Sequence, residues 1–591
     1  MRLLRQLISP ESTPFWLGLL LLSVLVMVMG LGNPYAPSNG DEMVYAHIAR
    51  ETAQTGHWLP LASELIDTRN TKPPLLFWQA MVAGQWGEHW TLAALRAPSV
   101  IYSLLVAAAV AWSARLITRQ WRPALIAACL YLCFFSTFRY GRVYLTSAPE
   151  TFWFGLPMFL LLWRSLRRDA PAFGWWHHII MGLALGLGLA YKSYALIAPA
   201  AAAWWLAQVW REPSWRWRVV FRITAQVGLS AVLAVGVFAL WLVLDPDPAS
   251  VWREFIVGEN AGKFSDSRGY WHEALLGGGS SIWSQLLAYA FNAGLLGTAV
   301  IGLAFTAWRS RSRGWWHARP APHVAVLLAW VVVWLMVFTL PSQRSARYVI
   351  PAMPAVAILL ALYWDKISTR WFLPALPLSA IALLALSRLA WVSHALDITG
   401  PVLLSLTLLA ALTGLGLACL AWLKPDWRRS AAVLSTLLVY AALNLTVAPL
   451  DGDAGQYPAQ VALSLKPQAR VAVPNGFNAQ FERFQFLLPG TFQWLPYDTE
   501  SRAAARISPD APDMTPAAQL DALLRDHDAV VWSQSAPEET HPPCWPACTV
   551  LGLRWHLRNR IPPGEVTPDT LWYPQRWLFR REWLLSRATS P

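Results

Sequence analysis

Two adjacent acidic residues near the amino terminus are the first candidates for a reactive site. Asp41 and Glu42 begin a polar stretch, and Asp41, Tyr45 and Ile48 share one face if that stretch is helical. A carboxylate there can act as a general base or hold a metal ion, and its structural alternative is to cap the helix that begins there. Glu150 is a second candidate, because a carboxylate at the start of an apolar run is costly unless it is paired or hydrated.

Basic residues beside long apolar runs form a second group of candidates. Lys72 precedes a Pro-Pro pair, and five others lie in very short connections between apolar runs: Arg139, Arg142, Lys192, Arg344 and Arg347. Held at one membrane depth, such cations would bind an anion there, and a lipid-linked phosphate is the obvious one. The alternative is that each side chain extends separately towards lipid head groups.

The composition is that of a membrane protein. Of 591 residues, 55% are hydrophobic and only 14% are charged, whereas a soluble chain carries about 25% charged residues. The net charge of +13 would suit a nucleic-acid partner, but the segment from Asp451 to Pro591 holds 13 basic and 15 acidic residues. The excess positive charge therefore lies between the apolar runs of residues 1–450, and no nucleic-acid partner is expected.

Thirteen apolar runs reach, or nearly reach, the length of about 20 residues that crosses a bilayer. The first is not expected to be a cleaved signal peptide, because it lacks an Ala-x-Ala site and twelve more runs follow it. The predicted fold class is therefore mainly α, a polytopic helical membrane protein. The approximate bounds are 14–32, 92–112, 123–138, 150–163, 178–191, 193–210, 219–244, 283–308, 321–340, 348–364, 371–391, 401–423 and 430–449.

Positive charge is concentrated in alternate connections between these runs. Twenty-one Lys and Arg residues lie on one side, among them Lys424, Arg428 and Arg429, and the positive-inside rule makes that side cytoplasmic. The amino terminus is then cytoplasmic, and an odd number of spans places the C-terminal segment outside, in the periplasm of a bacterium. Two long outer loops are predicted at about 33–90 and 245–282.

The chain divides into two predicted domains. Residues 1–449 form the transmembrane domain, and residues 450–591 form a small α/β domain on the outer side. In the second domain, strand-like runs begin at Arg470 and Asp528, and a helical pattern covers residues 517–525.

The five cysteines exclude a protein built on a disulfide framework. Cys544 and Cys548 share a Pro-rich loop, where a lone pair of cysteines is a weak signal for a metal. A local disulfide is favoured if this segment lies outside the cytoplasm.

The first outer loop resembles that of the GT-C membrane glycosyltransferases, in the branch of the aminoarabinose transferases and protein O-mannosyltransferases. Later segments agree more loosely, at Gly186 to Lys192 and at Ser342 to Pro354. The matching first-loop positions are Asp41-Glu42, Tyr45, Ile48, Glu51, Gly56-His57-Trp58, Lys72-Pro73-Pro74-Leu75, Trp78, Gly87-Glu88 and Arg96-Ala97-Pro98-Ser99.

The resemblance implies transfer of a sugar from a polyprenyl phosphate to an acceptor on the outer face of the membrane. Asp41 would be the catalytic carboxylate of an inverting displacement, accompanied by Glu42 and Glu150. The donor phosphate would be held by Lys72, Lys192, Arg344, Arg347 and Tyr348. Fixed cations that stabilise the departing phosphate lower the barrier of such a reaction. Tyr45, Trp58 and Arg142 would complete the substrate site.

The chain departs from the family pattern at four positions. Val44 stands where the aminoarabinose branch often has Arg, and Thr71 where it has an acid. The second acid is Glu150 rather than Asp, and Ser193 replaces the Gly that usually follows the Lys. We interpret these differences as signs of another donor or acceptor. They leave open whether a divalent metal is bound, and no other cofactor is indicated.

Three other functions remain to be weighed. A lipid-linked glycan flippase or transporter would need ionisable residues in mid-span, where this chain has almost none except Arg96 and Arg388. An O-antigen ligase or polymerase would rely on Arg and His in its outer loops. A membrane scaffold would not need Asp41. The donor sugar stays open, and so does the acceptor, which can be lipid A, another glycan, a lipid or a protein.

Overall fold

A computed structural model gives the architecture of the chain. It describes residues 10, 12–33, 40–64, 69–166, 173–212, 216–260, 269–311, 321–342, 344–447, 457–475, 479–488, 490–498, 515–534, 538–558, 563–565 and 567–588. Helices make up the first three quarters of the chain, and every strand among the described residues follows residue 469.

The helices of the first 450 residues are α1 (Thr13–Val28), α2 (Gly40–Gln54), α3 (Leu75–Ala83), α4 (Leu92–Thr118), α5 (Trp121–Cys133), α6 (Phe135–Tyr140), α7 (Ser147–Ser165), α8 (Trp175–Tyr191), α9 (Ile197–Arg211), α10 (Trp217–Leu244), α11 (Pro248–Val251), α12 (Tyr270–Leu276), α13 (Ile282–Leu286), α14 (Ala288–Ala293), α15 (Gly297–Arg311), α16 (Pro322–Thr339), α17 (Met353–Leu362), α18 (Ala375–Ala395), α19 (Pro401–Leu423) and α20 (Arg428–Thr446). Most of these helices follow the apolar runs, and four others (α2, α3, α11 and α12) lie in the two long connections predicted at 33–90 and 245–282. A π-helical segment (Trp252–Asn260) and a 3-10 segment (Ala346–Ala352) join some of them.

The polytopic helical fold is confirmed, whereas the number of thirteen spans is not. All thirteen apolar runs are largely helical, but a backbone break at Phe134 divides the run at 123–138 into α5 and α6. Among the described residues, seven helical segments have the length and apolarity to cross a bilayer: Leu92–Thr118, Trp217–Leu244, Ala288–Arg309, Pro322–Thr339, Thr369–Ala395, Pro401–Leu423 and Pro425–Thr446. The full count therefore stays a prediction.

Local chemistry sets where the helices begin. At α1, the Ser12 hydroxyl accepts a hydrogen bond from the backbone N–H of Phe15, and Pro14 lies in the first turn. At α4, Thr91 accepts from the N–H of Ala94 in the same way, and Arg119 ends the helix in the left-handed conformation. Both starts are therefore determined by residues next to each other in the sequence.

The C-terminal segment folds around one five-stranded mixed sheet. Its strands are β1 (Arg470–Asn475), β2 (Gln493–Asp498), β3 (Ala529–Ser533), β4 (Cys548–Leu557) and β5 (Phe579–Arg587), with the helices α21 (Ala459–Ser464), α22 (Phe484–Leu487), α23 (Pro516–Asp526) and α24 (Pro568–Trp572) and a 3-10 turn, Gln480–Arg483. The order is β2-β1-β3-β5-β4. Strand β1 is parallel to both neighbours, with Val471 opposite Trp494 and Ala529, and β5 is antiparallel to both of its own.

The predicted strand and helix positions in this segment agree with the structure. The run at Arg470 is β1, the run at Asp528 is β3, and the helical pattern at 517–525 lies within α23. Cys544 and Cys548 form a disulfide. The predicted boundary near residue 450 falls outside the described residues and remains a prediction.

Candidate active site

Asp41 lies in the first turn of helix α2 and remains accessible. Its side chain is 42% exposed, and its Oδ2 lies 3.6 Å from Nη2 of Arg347. Arg347 belongs to the 3-10 segment before α17, and its guanidinium lies over the ring of Tyr140, 5.0 Å from the centroid. The carboxylate of Asp41 is thus paired with a guanidinium and still accessible, as a group that takes a proton from a substrate must be.

Tyr45 lies one helical turn after Asp41 on α2, and Lys72, from the segment before α3, contacts its ring. The Lys72 ammonium lies 5.8 Å from the centroid of the Tyr45 ring and 3.0 Å from Oε1 of Glu259, in the π-helical segment. Helix α3 begins just after Lys72 and buries Leu76 and Phe77, which fixes the backbone that carries the lysine. The two long connections, predicted at about 33–90 and 245–282, therefore meet at Lys72.

Glu150 and Lys192 form an ion pair where α7 begins and α8 ends. Lys192 Nζ lies 2.8 Å from Oε1 and 3.0 Å from Oε2 of Glu150, whose side chain is 2% exposed. The same ammonium lies 5.9 Å from the centroid of the Tyr348 ring. Glu150 thus compensates the charge of Lys192, and the same lysine faces Tyr348, the residue next to Arg347.

These groups belong to one electrostatic cluster. Burial raises the pKa of Tyr45, and the charge of Asp41 raises it further, with smaller effects of Arg347, Glu259 and Glu150. Lys192 interacts in turn with Glu150, Arg347 and Lys72. We name this set the outer-face cluster: Asp41, Tyr45, Lys72, Glu150, Lys192, Glu259, Arg347 and Tyr348. It combines three cations with the accessible carboxylate of Asp41 and with Glu259, which is partly exposed and paired with Lys72.

Glu42 lies beside the cluster, in an enclosed position. Its carboxylate is buried and takes hydrogen bonds from Arg96, at 2.6 Å to Oε1 and 2.8 Å to Oε2, and from the backbone N–H of Tyr144 at 2.9 Å. Arg96 also donates to the carbonyls of Leu31 and Asn33. Arg96, in the second turn of α4, is thus tied to the first turn of α2.

The structure places three other candidates away from the cluster. Arg142 is buried and donates to the carbonyls of Val26 and Met29 and to the amide oxygen of Asn444. Arg344 is buried and donates to the carbonyls of Thr339, Ser280 and Ser342. Trp58 packs against Trp78 and Trp86 and is 44% exposed.

Two residues at the site were not identified from the sequence: Glu259, which belongs to the cluster, and Tyr140, whose ring lies under Arg347. Glu259 is an isolated acid in the second outer loop, and Tyr140 is one of 16 tyrosines. Neither belongs to a periodic pattern or a motif, since each meets its partner only through contacts distant in sequence. The one usable signal was the position of Tyr140 between Arg139 and Arg142, in a connection already notable for its charge.

A resident metal finds little support in these side chains. Among the described residues, no three His, Cys, Asp or Glu side chains lie together as ligands would. At the position before Lys72, where the aminoarabinose branch often has an acid, the chain has Thr71. The described side chains therefore do not form a ligand set for a resident metal ion.

Comparisons with known proteins agree with this architecture. Residues 19–244 match the model of the dolichyl-phosphate-mannose-protein mannosyltransferase family. An undecaprenyl phosphate-alpha-4-amino-4-deoxy-L-arabinose arabinosyl transferase of Sodalis glossinidius is 30% identical over 384 residues, which cover 60% of this chain and 61% of the relative. Its counterpart in Yersinia enterocolitica is 25% identical over 423 residues, covering 68% and 71%. The chain thus spans about three fifths of the length of the first of these relatives.

A solved structure extends the likeness to the whole chain. ArnT from Cupriavidus metallidurans bound to undecaprenyl phosphate aligns over 98% of both chains, with a TM-score of 0.58 and 16% identity. The same protein in the apo state aligns over 88% of this chain and 92% of its own, with a TM-score of 0.54 and 17% identity. At these identities the likeness establishes the fold. The chain therefore shares the fold of ArnT, and its sequence is similar to the aminoarabinose transferases and to the dolichyl-phosphate-mannose-protein mannosyltransferase family.

Proposed function

We propose that this protein is a glycosyltransferase that moves a sugar from a polyprenyl phosphate, such as undecaprenyl phosphate, to a membrane-associated acceptor. The observation that carries the proposal is the outer-face cluster, in which Asp41 remains accessible beside Arg347, Lys72 and Lys192. The relatives reported above are named for undecaprenyl phosphate sugars, and the first loop of this chain resembles the pattern of the GT-C glycosyltransferases. The acceptor is lipid A, another glycan or a protein.

The reaction is an inverting displacement at the anomeric carbon. Asp41 takes the proton of the acceptor hydroxyl or phosphate as the acceptor oxygen attacks that carbon. The bond from the carbon to the donor phosphate breaks, and the polyprenyl phosphate leaves with the electron pair. Lys72, Lys192 and Arg347 balance the charge that develops on the leaving phosphate, in a site partly shielded from water.

The remaining carboxylates have supporting roles in this proposal. Glu150 holds the ammonium of Lys192, and Glu42 holds the first turn of α2 against Arg96. Both are nearly or fully enclosed, so an acceptor has no direct access to either oxygen pair. This leaves Asp41 as the base and gives Arg142 and Arg344 the task of fixing the connections between helices.

The two arginines within the apolar runs, Arg96 and Arg388, argue against a transporter, because Arg96 lies near the start of α4 and Arg388 towards the end of α18. Arg96 pairs with Glu42, and Arg388 donates from its Nε to the carbonyl of Trp572 in the C-terminal segment, at 2.9 Å. A transport path would need hydrated or exchangeable charges through the membrane, whereas both arginines are tied to outer-side elements.

We further propose that the protein lies in the bacterial inner membrane, with its C-terminal domain in the periplasm. The concentration of positive charge in alternate connections supports that orientation. The Cys544–Cys548 disulfide supports it independently, because disulfides persist in the oxidising periplasm and are rare in the cytosol. The active cluster then faces the periplasm, where the acceptors named above are found.

Transfer of radiolabelled sugars in liposomes tests the proposal. Wild type, Asp41→Asn and Asp247→Asn are supplied with polyprenyl-phosphate sugars and a membrane-lipid extract. Asp247 is the matched control, since it is also an outer-loop carboxylate paired with an arginine, Arg69, and is 49% exposed. Asp41→Asn should lower the rate by about 10²–10⁴-fold, the usual contribution of a general base, whereas Asp247→Asn should transfer like wild type.

Two results would contradict this assignment. Equal rates for wild type and Asp41→Asn would remove Asp41 as the base and direct the search to Glu259, the other exposed carboxylate of the cluster. Absence of transfer by wild type from every polyprenyl donor would overturn the donor class itself.

A further inference from the structure

The C-terminal domain contacts the helix that carries Asp41. Glu482, in the 3-10 turn Gln480–Arg483, reaches the middle of α2, where its Oε2 lies 3.1 Å from Nδ1 of His47. Arg50, one turn further along, donates to both oxygens of Glu482, at 2.7 Å and 2.9 Å. The ring of Phe481 packs edge-on against the His47 ring, with centroids 5.2 Å apart. Three consecutive contacts thus join the two domains at α2.

The contact between Glu482 and α2 is buried and charged. Glu482 and His47 are fully buried, and Arg50 is 14% exposed. Burial alone would raise the pKa of Glu482, but the hydrogen bonds from His47 and Arg50 hold it below its ordinary value. A buried carboxylate that loses such partners is strongly destabilised, which keeps α2 and the turn together.

The next residue ties the same turn to the interior of the C-terminal domain. Arg483 donates to Glu582 of β5 at 3.2 Å, and Glu582 is also bound by Arg554 of β4. The fully buried Glu582 has its pKa lowered to about 2 by these arginines, against the opposing effect of burial. The turn is therefore fixed to the sheet on one side and to α2 on the other.

We propose that Glu482 is a positioning residue, through which the C-terminal domain sets where Asp41 stands in the active site. The inference rests on the proposed function for the role of Asp41. From Asp41 to His47 the helix rises about 9 Å, so a tilt or axial shift of α2 at Glu482 is carried to the carboxylate at its start. Glu482 acts only through α2, because its partners are His47 and Arg50 and no group of the outer-face cluster.

The C-terminal domain thereby has a defined task in catalysis. Misplacing a reacting group by about 1 Å can cost on the order of a hundredfold in rate. A domain that holds α2 in place affects turnover and leaves the binding of the donor phosphate, which depends on Lys72, Lys192 and Arg347, largely unchanged.

A double-mutant cycle on the full-length protein tests the role of Glu482. The variants are Glu482→Gln, Arg50→Met and the double variant, which approach the pair from either domain. Glu565→Gln is the matched control, because Glu565 also pairs with an arginine of the C-terminal domain, Arg558, and lies away from α2. Two quantities are measured: hydrogen exchange of the amides in residues 43–54, and kcat and KM for the polyprenyl donor.

Exchange in α2 should be faster in Glu482→Gln and Arg50→Met than in wild type or Glu565→Gln. Each single variant should lower kcat about tenfold, with KM for the donor within about twofold of wild type, because only the acceptor side of the site is displaced. The double variant should be no slower than the slower single one, since both remove the same interaction.

Unchanged exchange in α2, or a kcat equal to that of Glu565→Gln in both single variants, would overturn the inference. Additive losses, or a parallel loss of kcat and donor affinity, would also overturn it, because they indicate general destabilisation. If wild type transfers no sugar, the proposed function fails. The exchange measurement then still decides whether the C-terminal domain holds α2.

Discussion

At the scale of single residues, the two lysines of the outer-face cluster differ in how firmly their partners hold them. Lys192 is paired with Glu150, which is 2% exposed and takes both contacts inside the protein. Lys72 is paired with Glu259, which is 36% exposed. An exposed pair is weakly held, because water and ions compete for both partners. Lys72 can therefore exchange its carboxylate for a donor phosphate more easily than Lys192.

This difference predicts opposite effects of two substitutions on donor binding. Lys72→Ala should raise the Kd for undecaprenyl phosphate at least tenfold, a loss of about 1.4 kcal/mol. Glu259→Gln should lower the Kd, because it removes the anion that competes with the phosphate. Binding of the labelled lipid to purified protein measures both.

Arg253→Ala is the control for these variants. Arg253 lies on the same π-helical segment as Glu259, is 69% exposed and pairs with Glu254. Its removal should leave the Kd within about twofold of wild type, as expected for an exposed pair outside the cluster. Weaker lipid binding by Glu259→Gln would show that Glu259 supports the site and does not compete with the phosphate.

At the scale of elements, helix α2 is the part on which the site depends. Its first turn is held by the Glu42–Arg96 pair, and its middle is held by Glu482 from the C-terminal domain. Asp41 lies next to Glu42 yet points to an accessible position, so one turn of helix supplies both an anchor and a reactive group. Adjacent residues of a helix face different directions, which makes this division of roles possible.

We predict that Glu42→Gln destabilises the protein far more than Asp41→Asn. The first change leaves Arg96 buried without its countercharge, and removing one partner of a buried pair typically costs about 3–5 kcal/mol. The second changes a half-exposed side chain and should cost less than about 1 kcal/mol. Thermal unfolding in detergent compares the two, and equal losses would contradict the anchoring role of Glu42.

At the scale of the whole molecule, the C-terminal domain contacts the helical region at more than one element. Besides α2, it contacts the end of α18, where Arg388 binds the carbonyl of Trp572 and where Leu389 and Val392 pack with Leu557 and Phe579. Both contacts require α2, the end of α18 and the C-terminal domain to lie on one side of the membrane. The charge distribution predicts that this side is the periplasm.

The orientation can be tested with single cysteines in a Cys419→Ser background, since Cys419 is an exposed free cysteine. Thr540→Cys, at an exposed site of the C-terminal domain, should react with an impermeant maleimide in intact inner-membrane vesicles of right-side-out orientation. Asp426→Cys, at an exposed site between α19 and α20, should react only after the membrane is permeabilised. The reverse pattern would invert the topology.

Much of this arrangement could be predicted from residues that are neighbours in the sequence. Apolar runs predicted the helices, because a backbone in hydrocarbon must satisfy its own hydrogen bonds. The residues of the first loop carry the resemblance to the GT-C glycosyltransferases. Six residues that were singled out from the sequence lie together in the cluster: Asp41, Lys72, Glu150, Lys192, Arg347 and Tyr348. Their catalytic and binding roles stay predictions.

The sequence by itself determined the helical membrane fold, two of the five strands of the C-terminal domain and the group of ionisable residues from which a site could be built, because hydropathy, charge and local motifs are properties of neighbouring residues. The tertiary structure alone decided which charge meets which. Glu42 is enclosed by Arg96 and Asp41 is not, Glu259 reaches Lys72, and Glu482 crosses between domains to α2. These pairs join residues tens to hundreds of positions apart, and no local pattern encodes such contacts.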